Sequence, residues 1–369
     1  MTRIESTDRA TEQRDALVGR LFEAAIGAME VATIYTGDRL GLYQALDEAG
    51  PATPSQIAAA AGIHERYARE WLEQQAVAGI LAVEDPAAEA TERRYLLPAA
   101  YREIFLERDS LNYLGGLLRL VVGASRPLDA VLAAYRTGGG VPYPDFGVDT
   151  REGIAAMNRP MFVNLLGSEW LPAMADIHAR LQADPPARVA DIGCGTGWSS
   201  IAIARAYPTV TVEGFDLDDA SIAQARRNVA GAGLAGRVTF HIRDAADPEL
   251  VGRYDLVTAF ETIHDIARPV EALRVMRGLL ADGGAVLIAD ENVGERFAAP
   301  GNEIERLNYA FSVLHCLPAT MAERGPIETA TGTVMRPETL RRYATDAGFR
   351  QVEILPIDND FWRFYRLAV

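Results

Sequence analysis

The 369-residue sequence contains no lysine, so arginine supplies all 36 of its lysine-plus-arginine cations. A pyridoxal Schiff-base enzyme, a lysine-dependent P-loop NTPase and a kinase of the usual lysine-bearing pattern are therefore excluded. Only two cysteines occur, Cys194 and Cys316, too few for a disulfide framework or a four-cysteine zinc site. We expect a cytoplasmic, reduced protein, because the N-terminus lacks the apolar segment of a signal peptide and no apolar run could span a bilayer.

Positive charge is scarce as a whole. The chain has 51 acidic residues against 36 arginines, and its formal net charge is −15. Nucleic acids and anionic membranes are bound by basic surfaces, so we expect neither as a partner. Apolar residues make up 49% and charged residues 24% of the chain, the balance of a soluble globular protein.

A winged-helix domain is predicted over residues 1–100. Apolar and small residues from Leu17 to Tyr35 recur every three or four positions, which predicts one face of a long helix that packs on another helix. A short helix is predicted from Thr53 to Gly62 and another from His64 to Ala78, followed by two strand-like segments.

This pattern also suggests an alternative function, that of a regulator that binds DNA through its winged helix. The helix from His64 to Ala78 has slightly more acidic than basic residues, however, whereas phosphate contacts supply most of the affinity for DNA. We therefore predict that the domain serves to form a homodimer and to cover an active site.

A helical connector is expected over residues 101–185, ending at the consecutive prolines 185 and 186. Beyond it, strands and helices alternate with short connections, which predicts a Rossmann-like, doubly wound α/β domain with a seven-stranded sheet over residues 186–369. The strands are predicted at 188–192, 210–216, 237–242, 254–260, 285–290, 350–357 and 361–368.

The most informative segment runs from Asp191 to Gly197, where a strand leads into glycines at alternate positions and then a helix. Glycine allows a tight turn and a close approach of the backbone to a ligand. The pattern D-x-G-x-G-x-G resembles motif I of class I S-adenosylmethionine (SAM) methyltransferases, which implies SAM as the cofactor.

Acids that end the next two strands strengthen this resemblance. Asp216 ends the second strand, where an acid can accept both ribose hydroxyls, with Asp218 as an alternative. Asp244 ends the third strand, where family members place an acid against the adenine amino group. The resemblance implies the following cofactor-binding residues: Asp191, Gly193, Gly195, Gly197, Asp216, Leu217, Asp244, Ala245 and Phe260.

After the fourth strand, His264 and Asp265 resemble the His-Asp region of small-molecule O-methyltransferases. In those enzymes the histidine removes the proton of the acceptor, and histidine suits this because its ordinary pKa lies near neutrality. The resemblance implies an O-methyltransferase acting on a secondary metabolite, with His264 as the general base.

His315 offers a different chemistry, because it follows the fifth strand in an apolar insertion 51 residues after His264. The pair is similar to the metal-binding histidines of α-keto acid C-methyltransferases. This alternative implies that His264 and His315 hold iron or zinc, which would stabilise an enolate. Four aromatic residues are further candidates for the substrate pocket: Tyr143, Phe162, Trp170 and Tyr309.

Overall fold

A computed structural model describes residues 3–323 and 329–369, without the side chains of residues 3–8. Its internal contacts divide the chain into two units, Met1–Val122 and Gly123–Val369. None of the helices in these described ranges has the length and apolar character that crossing a membrane demands.

The first unit is a helical domain with a small wing. Two short strands, β1 (Ala82–Val83) and β2 (Tyr95–Leu96), pair in antiparallel fashion and form the wing. Together with the helices that precede them, they confirm the winged-helix prediction. The helices are α1 (Arg3–Arg39), α2 (Leu42–Ala49), α3 (Pro54–Ala61), α4 (Glu65–Val77), α5 (Arg102–Phe105) and α6 (Gly115–Ala124), the last ending just past the unit boundary.

Local sequence signals explain where these helices begin and end. Thr53 caps α3 through a capping box with Gln56, and Gly62 ends the helix with a φ of 66°. The imidazole of His64 caps α4 by accepting a hydrogen bond from the backbone of Arg66. His64 therefore has a structural role.

The apolar face of α1 is exposed in the chain as described. Leu21 and Phe22 are 56% and 66% exposed. Among the described residues, no partner covers the first half of α1. The predicted packing on another helix is therefore not observed there. A long helix that carries exposed apolar side chains favours an interface with another molecule.

The second unit contains a sheet flanked by helices. Its helices are α7 (Leu128–Thr137), α8 (Gly147–Met161), α9 (Ala175–Gln182), α10 (Trp198–Ala206), α11 (Asp219–Gly231), α12 (Pro269–Gly278), α13 (Glu303–Phe311), α14 (Leu317–Met321) and α15 (Pro337–Asp346). Two segments are π-helical, Phe162–Trp170 and Ser312–Cys316. Short 3-10 turns occupy Ala99–Tyr101 in the first unit and Tyr143–Phe146 and Ile263–Asp265 in the second.

The strands of the second unit are β3 (Arg188–Ile192), β4 (Thr211–Asp216), β5 (Val238–Ile242), β6 (Tyr254–Phe260), β7 (Leu280–Glu291), β8 (Gln351–Ile354) and β9 (Trp362–Ala368). They form one seven-stranded sheet in the order β5-β4-β3-β6-β7-β9-β8. Strands β3 to β7 are parallel, and β9 is antiparallel to both of its neighbours. The predicted doubly wound α/β fold is confirmed.

Apolar cores cover both faces of this sheet. Successive residues of β7 alternate between them, Leu287 in one cluster and Ile288 in the other. Parallel strands buried on both faces are expected to be rich in apolar residues, and β7 is apolar from Ala285 to Ala289. The strand order changes direction at β3, with β4 and β5 on one side and β6 and β7 on the other, so the carboxyl ends of β3 and β6 form the crevice where such sheets bind ligands.

Strand β7 differs from its predicted extent. It begins at Leu280 rather than at residue 285, because Leu280 already pairs with Tyr254 before an irregularity in the register. Gly283, with a φ of 77°, lies within this irregularity. The sequence Asp282-Gly283-Gly284 signals a turn, and here the turn residues are absorbed into the strand as a bulge.

Candidate active site

The glycine loop connects β3 to α10 at the carboxyl edge of the sheet. Gly193, Gly195 and Gly197 have φ values of 66°, 50° and 82°, a region that favours glycine. A Cβ at Gly193 would lie 2.3 Å from Thr262, and one at Gly197 would lie 2.5 Å from Phe240. At Gly195 a Cβ would meet no protein atom within 4 Å. Two glycines thus serve close packing, and the third presents its backbone to the cavity.

Asp191 supports this loop from below. It is almost fully buried, and its carboxylate accepts hydrogen bonds from the hydroxyls of Ser199, Ser200 and Thr258 at 2.6, 2.6 and 2.8 Å. Burial raises the pKa of Asp191, and the three hydroxyl groups oppose this rise. Asp191 does not line the cavity, so we infer that it holds the loop in place.

Asp216 and Asp218 have different environments at the end of β4. Asp216 accepts hydrogen bonds from the backbone of Gly195 at 2.8 Å and of Asp218 at 2.9 Å, and burial raises its pKa. The Asp218 carboxylate caps α11 through Ser221 and pairs with Arg151 at 2.8 Å. Burial alone would raise the pKa of Asp218, but these two partners outweigh it and lower this pKa. Asp216 is therefore the better candidate for the ribose.

Asp244 also lines the cavity, at the end of the strand next to β4. One carboxylate oxygen accepts a hydrogen bond from the backbone of Ala246 at 2.8 Å, and the other pairs with Arg268. This pairing fixes the carboxylate at the cavity edge where the sequence predicts contact with adenine.

The glycine loop, the strand-end acids and part of the connector enclose a cavity of about 510 Å³. This volume is in the range of small-molecule and cofactor sites. Of the residues predicted for the cofactor and the substrate, the cavity is lined by Gly193, Gly195, Asp216, Leu217, Asp244, Ala245, Phe260, Asp265, Tyr143 and Phe162. It is not lined by Asp191, Gly197, His264, His315, Trp170 or Tyr309.

The described lining carries far more negative than positive charge. Two guanidinium groups, those of Arg151 and Arg243, face seven carboxyl groups. These belong to Asp216, Asp218, Asp219, Asp244, Glu261, Asp265 and Glu323.

His264 lies behind the cavity wall, between two carboxylates. Its Nδ1 is 2.7 Å from Asp290 Oδ1, and its Nε2 is 3.3 Å from Asp265 Oδ1. Burial alone would lower the pKa of His264, but Asp265 and Asp290 outweigh it and raise this pKa well above the ordinary value. Asp265 lines the cavity with a side chain that is 36% exposed, so it separates His264 from the space in which an acceptor would bind.

His315 is buried in the second π-helical segment, next to the same cluster. Its ring packs edge-on against Phe146 at 4.5 Å and Tyr143 at 5.8 Å, and its Nδ1 is 3.5 Å from the Cys316 sulfur. Its Nε2 is buried with no hydrogen-bond partner among the described residues. Burial lowers the pKa of His315, which keeps the imidazole neutral.

One group of side chains in the described part of the chain has ligand atoms close enough to hold a metal. It consists of His264, Asp265 and Cys316, whose ligand atoms lie within 4.8 Å of one another. His315, the second histidine of the pair that the sequence suggested, is not in this group. Burial raises the pKa of the Cys316 thiol to about 12, which disfavours the thiolate that a metal requires.

Sequence reasoning missed a second acidic pair beside this cluster. Glu261 lines the cavity with a φ of 52°, and Asn158 donates a hydrogen bond to its carboxylate. Burial raises the pKa of both glutamates, and the proximity of Glu261 raises that of Glu291 further. Asp290 and Glu291 end β7, and the argument used for Asp216 at the end of β4 would have identified both.

Trp170 and Tyr309 lie away from the cavity. Trp170 is fully buried and packs against Trp362 and Phe364 in the core of the second unit, with ring centroids 5.5 and 4.8 Å apart. The Tyr309 hydroxyl accepts a hydrogen bond from Arg336 at 3.4 Å, near the protein surface. Both residues were predicted as pocket candidates because they are aromatic and lie near predicted pocket segments. In the structure, core packing explains why Trp170 is buried.

Comparison with known protein families bears directly on this site. A family model described as a methyltransferase domain matches residues 183–328, which include the glycine loop and the acids at the strand ends. A second, the Rv2258c-like winged HTH domain, matches residues 27–108. The chain is a SAM-dependent methyltransferase. It combines the class I fold with an N-terminal winged-helix domain, as its sequence resemblance implied.

Individual relatives agree with this assignment. The methyltransferase is 27% identical over 210 residues to a ubiquinone biosynthesis O-methyltransferase of Pseudomonas paraeruginosa, a match that covers 56% of this chain and 80% of that protein. It also shares 31% identity over 130 residues with a trans-aconitate 2-methyltransferase of Streptomyces avermitilis, covering 35% and 45% of the two chains.

Solved structures show the same fold along almost the whole methyltransferase. Human N-acetylserotonin methyltransferase in complex with SAM matches with a TM-score of 0.64 at 19% identity, covering 95% of this chain and 97% of that one. The mitomycin 7-O-methyltransferase matches with a TM-score of 0.67 at 19% identity, covering 97% and 100%.

The residues of the cavity fit SAM. The backbone of Gly195 is accessible to a ligand, as the amino acid part of SAM requires, and Asp216 keeps acceptor capacity for ribose hydroxyls. SAM carries one net positive charge, which matches the excess of carboxyl groups on the lining.

Proposed function

We propose that this methyltransferase transfers the methyl group of SAM to a hydroxyl oxygen of a small-molecule acceptor. The observation that carries the proposal is the cavity, whose lining includes both the cofactor loop and Asp265 of the His264 cluster. A volume of about 510 Å³ holds small ligands and excludes a folded protein or a duplex. The O-methyltransferase names of several relatives support the choice of oxygen.

The chain's own residues account for the proton. When bound, SAM supplies an activated methyl group on a neutral leaving group, so the protein has to align the acceptor and remove its proton. We propose that the acceptor hydroxyl replaces Asp265 at Nε2 of His264, and that unprotonated His264 takes the proton. Asp290 holds the Nδ1–H of the imidazole, which orients Nε2 towards the acceptor and stabilises the imidazolium.

The test is a screen with SAM labelled in its methyl group. Small phenols and alcohols are incubated with the enzyme, and products are separated and analysed by mass spectrometry. The proposal expects label on oxygen together with demethylated cofactor that forms only when an acceptor is present. Demethylated cofactor without an acceptor, or label found only on carbon or nitrogen, would contradict it.

Metal-assisted C-methylation of an α-keto acid is the second candidate, supported by the proximity of His264, Asp265 and Cys316 and opposed by the raised pKa of the Cys316 thiol. Elemental analysis of the purified protein separates it from the first. C-methylation of this kind requires near-stoichiometric iron or zinc that is lost in Cys316→Ser and in His264→Gln, together with activity that a chelator abolishes. O-methylation through His264 is insensitive to the chelator.

For the N-terminal domain we propose dimerisation rather than DNA binding. Arg66 of α4 pairs with Glu70, and Arg93 of the wing pairs with Glu73 of α4 at 2.9 Å. These pairs neutralise the cations that would contact phosphates. The exposed apolar face of α1 provides the surface for a second copy of the chain.

The dimer can be broken at α1. We expect Phe22→Asp to convert a dimer to a monomer in multi-angle light scattering, because it places a charge in an apolar interface. Phe22 is exposed within the chain, so the variant should keep its thermal stability as a monomer. Ala16→Asp, about 120° around the same helix from Phe22, is the matched control and should remain dimeric. A dimer in both variants would count against this interface.

A further inference from the structure

We propose that the acceptor carries a positively charged group, such as a protonated amine, and that anionic acceptors are excluded from the cavity. The inference rests on the proposed function, because it specifies the chemical class of acceptor for that same site. It does not depend on which atom of the acceptor receives the methyl group.

The charge of the cavity wall is the first observation. Both described guanidinium groups on the wall already have a carboxylate partner: Arg151 pairs with Asp218 at 2.8 Å, and Arg243 pairs with Asp247 at 3.2 Å. SAM contributes only one net positive charge, so several carboxylates stay unbalanced once it binds. An anionic acceptor would enter a region of like charge without a described cation to receive it.

Three of the carboxyl groups on the lining lie within electrostatic reach of one another. Glu323 lies on the wall within electrostatic reach of Asp244 and Asp265. Burial, and then the proximity of Asp244, raise the pKa of Glu323 to about 6. Of these three carboxylates, Asp244 pairs with Arg268, and Asp265 lies 3.3 Å from Nε2 of His264. A cationic group bound beside Glu323 and Asp265 would relieve the repulsion among them.

An unpartnered polar atom forms an independent second observation. Asn158 lines the cavity with a side chain only 5% exposed, and its Oδ1 has no hydrogen-bond partner among the described residues. This amide oxygen accepts hydrogen bonds, so a bound group that carries a donor, such as a protonated amine, would satisfy it.

Three probes of similar size test the proposal: tyramine, 2-(4-hydroxyphenyl)ethanol and 4-hydroxyphenylacetate, which are cationic, neutral and anionic. Binding to the full-length enzyme loaded with demethylated cofactor is measured by calorimetry at about pH 7.5, where Glu323 is ionised. We expect the amine to bind at least about tenfold more tightly than the carboxylate, and more tightly than the alcohol. Equal affinities, no binding of any probe, or a preference for the carboxylate would overturn the proposal.

A pair of variants locates the source of the preference. Glu323→Gln should reduce the ratio of amine to carboxylate affinity by at least about threefold, since one facing charge is removed. Glu338→Gln is the matched control, because its side chain is 83% exposed on α15 and does not line the cavity, and it should leave the ratio unchanged. An unchanged ratio in Glu323→Gln would refute the assignment.

Two experimental outcomes distinguish an error in the charge of the acceptor from an error in the proposed O-methylation. Methylation of a hydroxyl on an acidic acceptor would overturn the inference and leave O-methylation intact. A preference for the amine probe, with methyl transfer found only on carbon or nitrogen, would do the reverse.

Discussion

His264→Gln is expected to lower kcat by about 10²- to 10⁴-fold, the range typical for loss of a general base. His264 does not line the cavity, so SAM affinity should change little. Steady-state kinetics with an acceptor from the screen and calorimetry with SAM measure the two quantities. Loss of SAM binding in parallel with kcat would instead indicate a structural role, and an unchanged kcat would exclude His264 as the base.

The pH profile separates chemistry from folding. Asp265 and Asp290 raise the pKa of His264 well above its ordinary value, and the base must be unprotonated. Activity should therefore rise with pH along a limb whose midpoint lies above the ordinary histidine value of about 6.5. Asp290→Asn removes one source of the rise and should move this limb to lower pH, whatever it does to the maximal rate. A limb that stays in place would contradict the proposed contact.

Gly195→Ala is expected to weaken SAM binding by about ten- to hundredfold, since a methyl group on the cavity wall would overlap the ligand. No protein atom lies within 4 Å of the added Cβ, so the fold itself has room for it. The positive φ of 50° adds a strain of about 1 kcal/mol. Calorimetric titration with SAM and thermal denaturation measure the two effects.

Gly233→Ala is the matched control for this variant. Gly233 has a φ of 70°, is exposed in the turn after α11, and likewise has no atom within 4 Å of an added Cβ. Both variants should lose similar thermal stability, and only Gly195→Ala should lose SAM affinity. Equal SAM affinities in the two variants would mean that the loop does not approach the cofactor.

Local signals in the sequence were sufficient for most of the fold. The segment from Asp191 to Gly197 predicted a strand, a tight turn and a helix, and the structure has β3, the glycine loop and α10 there. Such signals are local because backbone conformation at glycine and periodic burial leave their trace within a few residues. Strand β7 was predicted too short because its first pair, Leu280 with Tyr254, depends on a neighbour distant in sequence.

The site was less predictable than the fold, because it depends on which side chains face the cavity. His264 and Asp265 are adjacent in sequence, yet only Asp265 reaches the wall. No local sequence signal distinguishes the two residues, because a 3-10 turn sets the directions of their side chains and Asp290 from β7 holds the imidazole. The role of Trp170 was similarly hidden, because its core partners, Trp362 and Phe364, are almost two hundred residues away.

We propose that this cavity binds SAM with the reactive sulfur towards Asp265. A crystal structure with demethylated cofactor would show whether it does. We expect the amino acid part against Gly195, the ribose hydroxyls on Asp216, and the sulfur on the side of the cavity where Asp265 lies. A cofactor bound with its sulfur turned away from Asp265, or bound outside the cavity, would contradict this proposal.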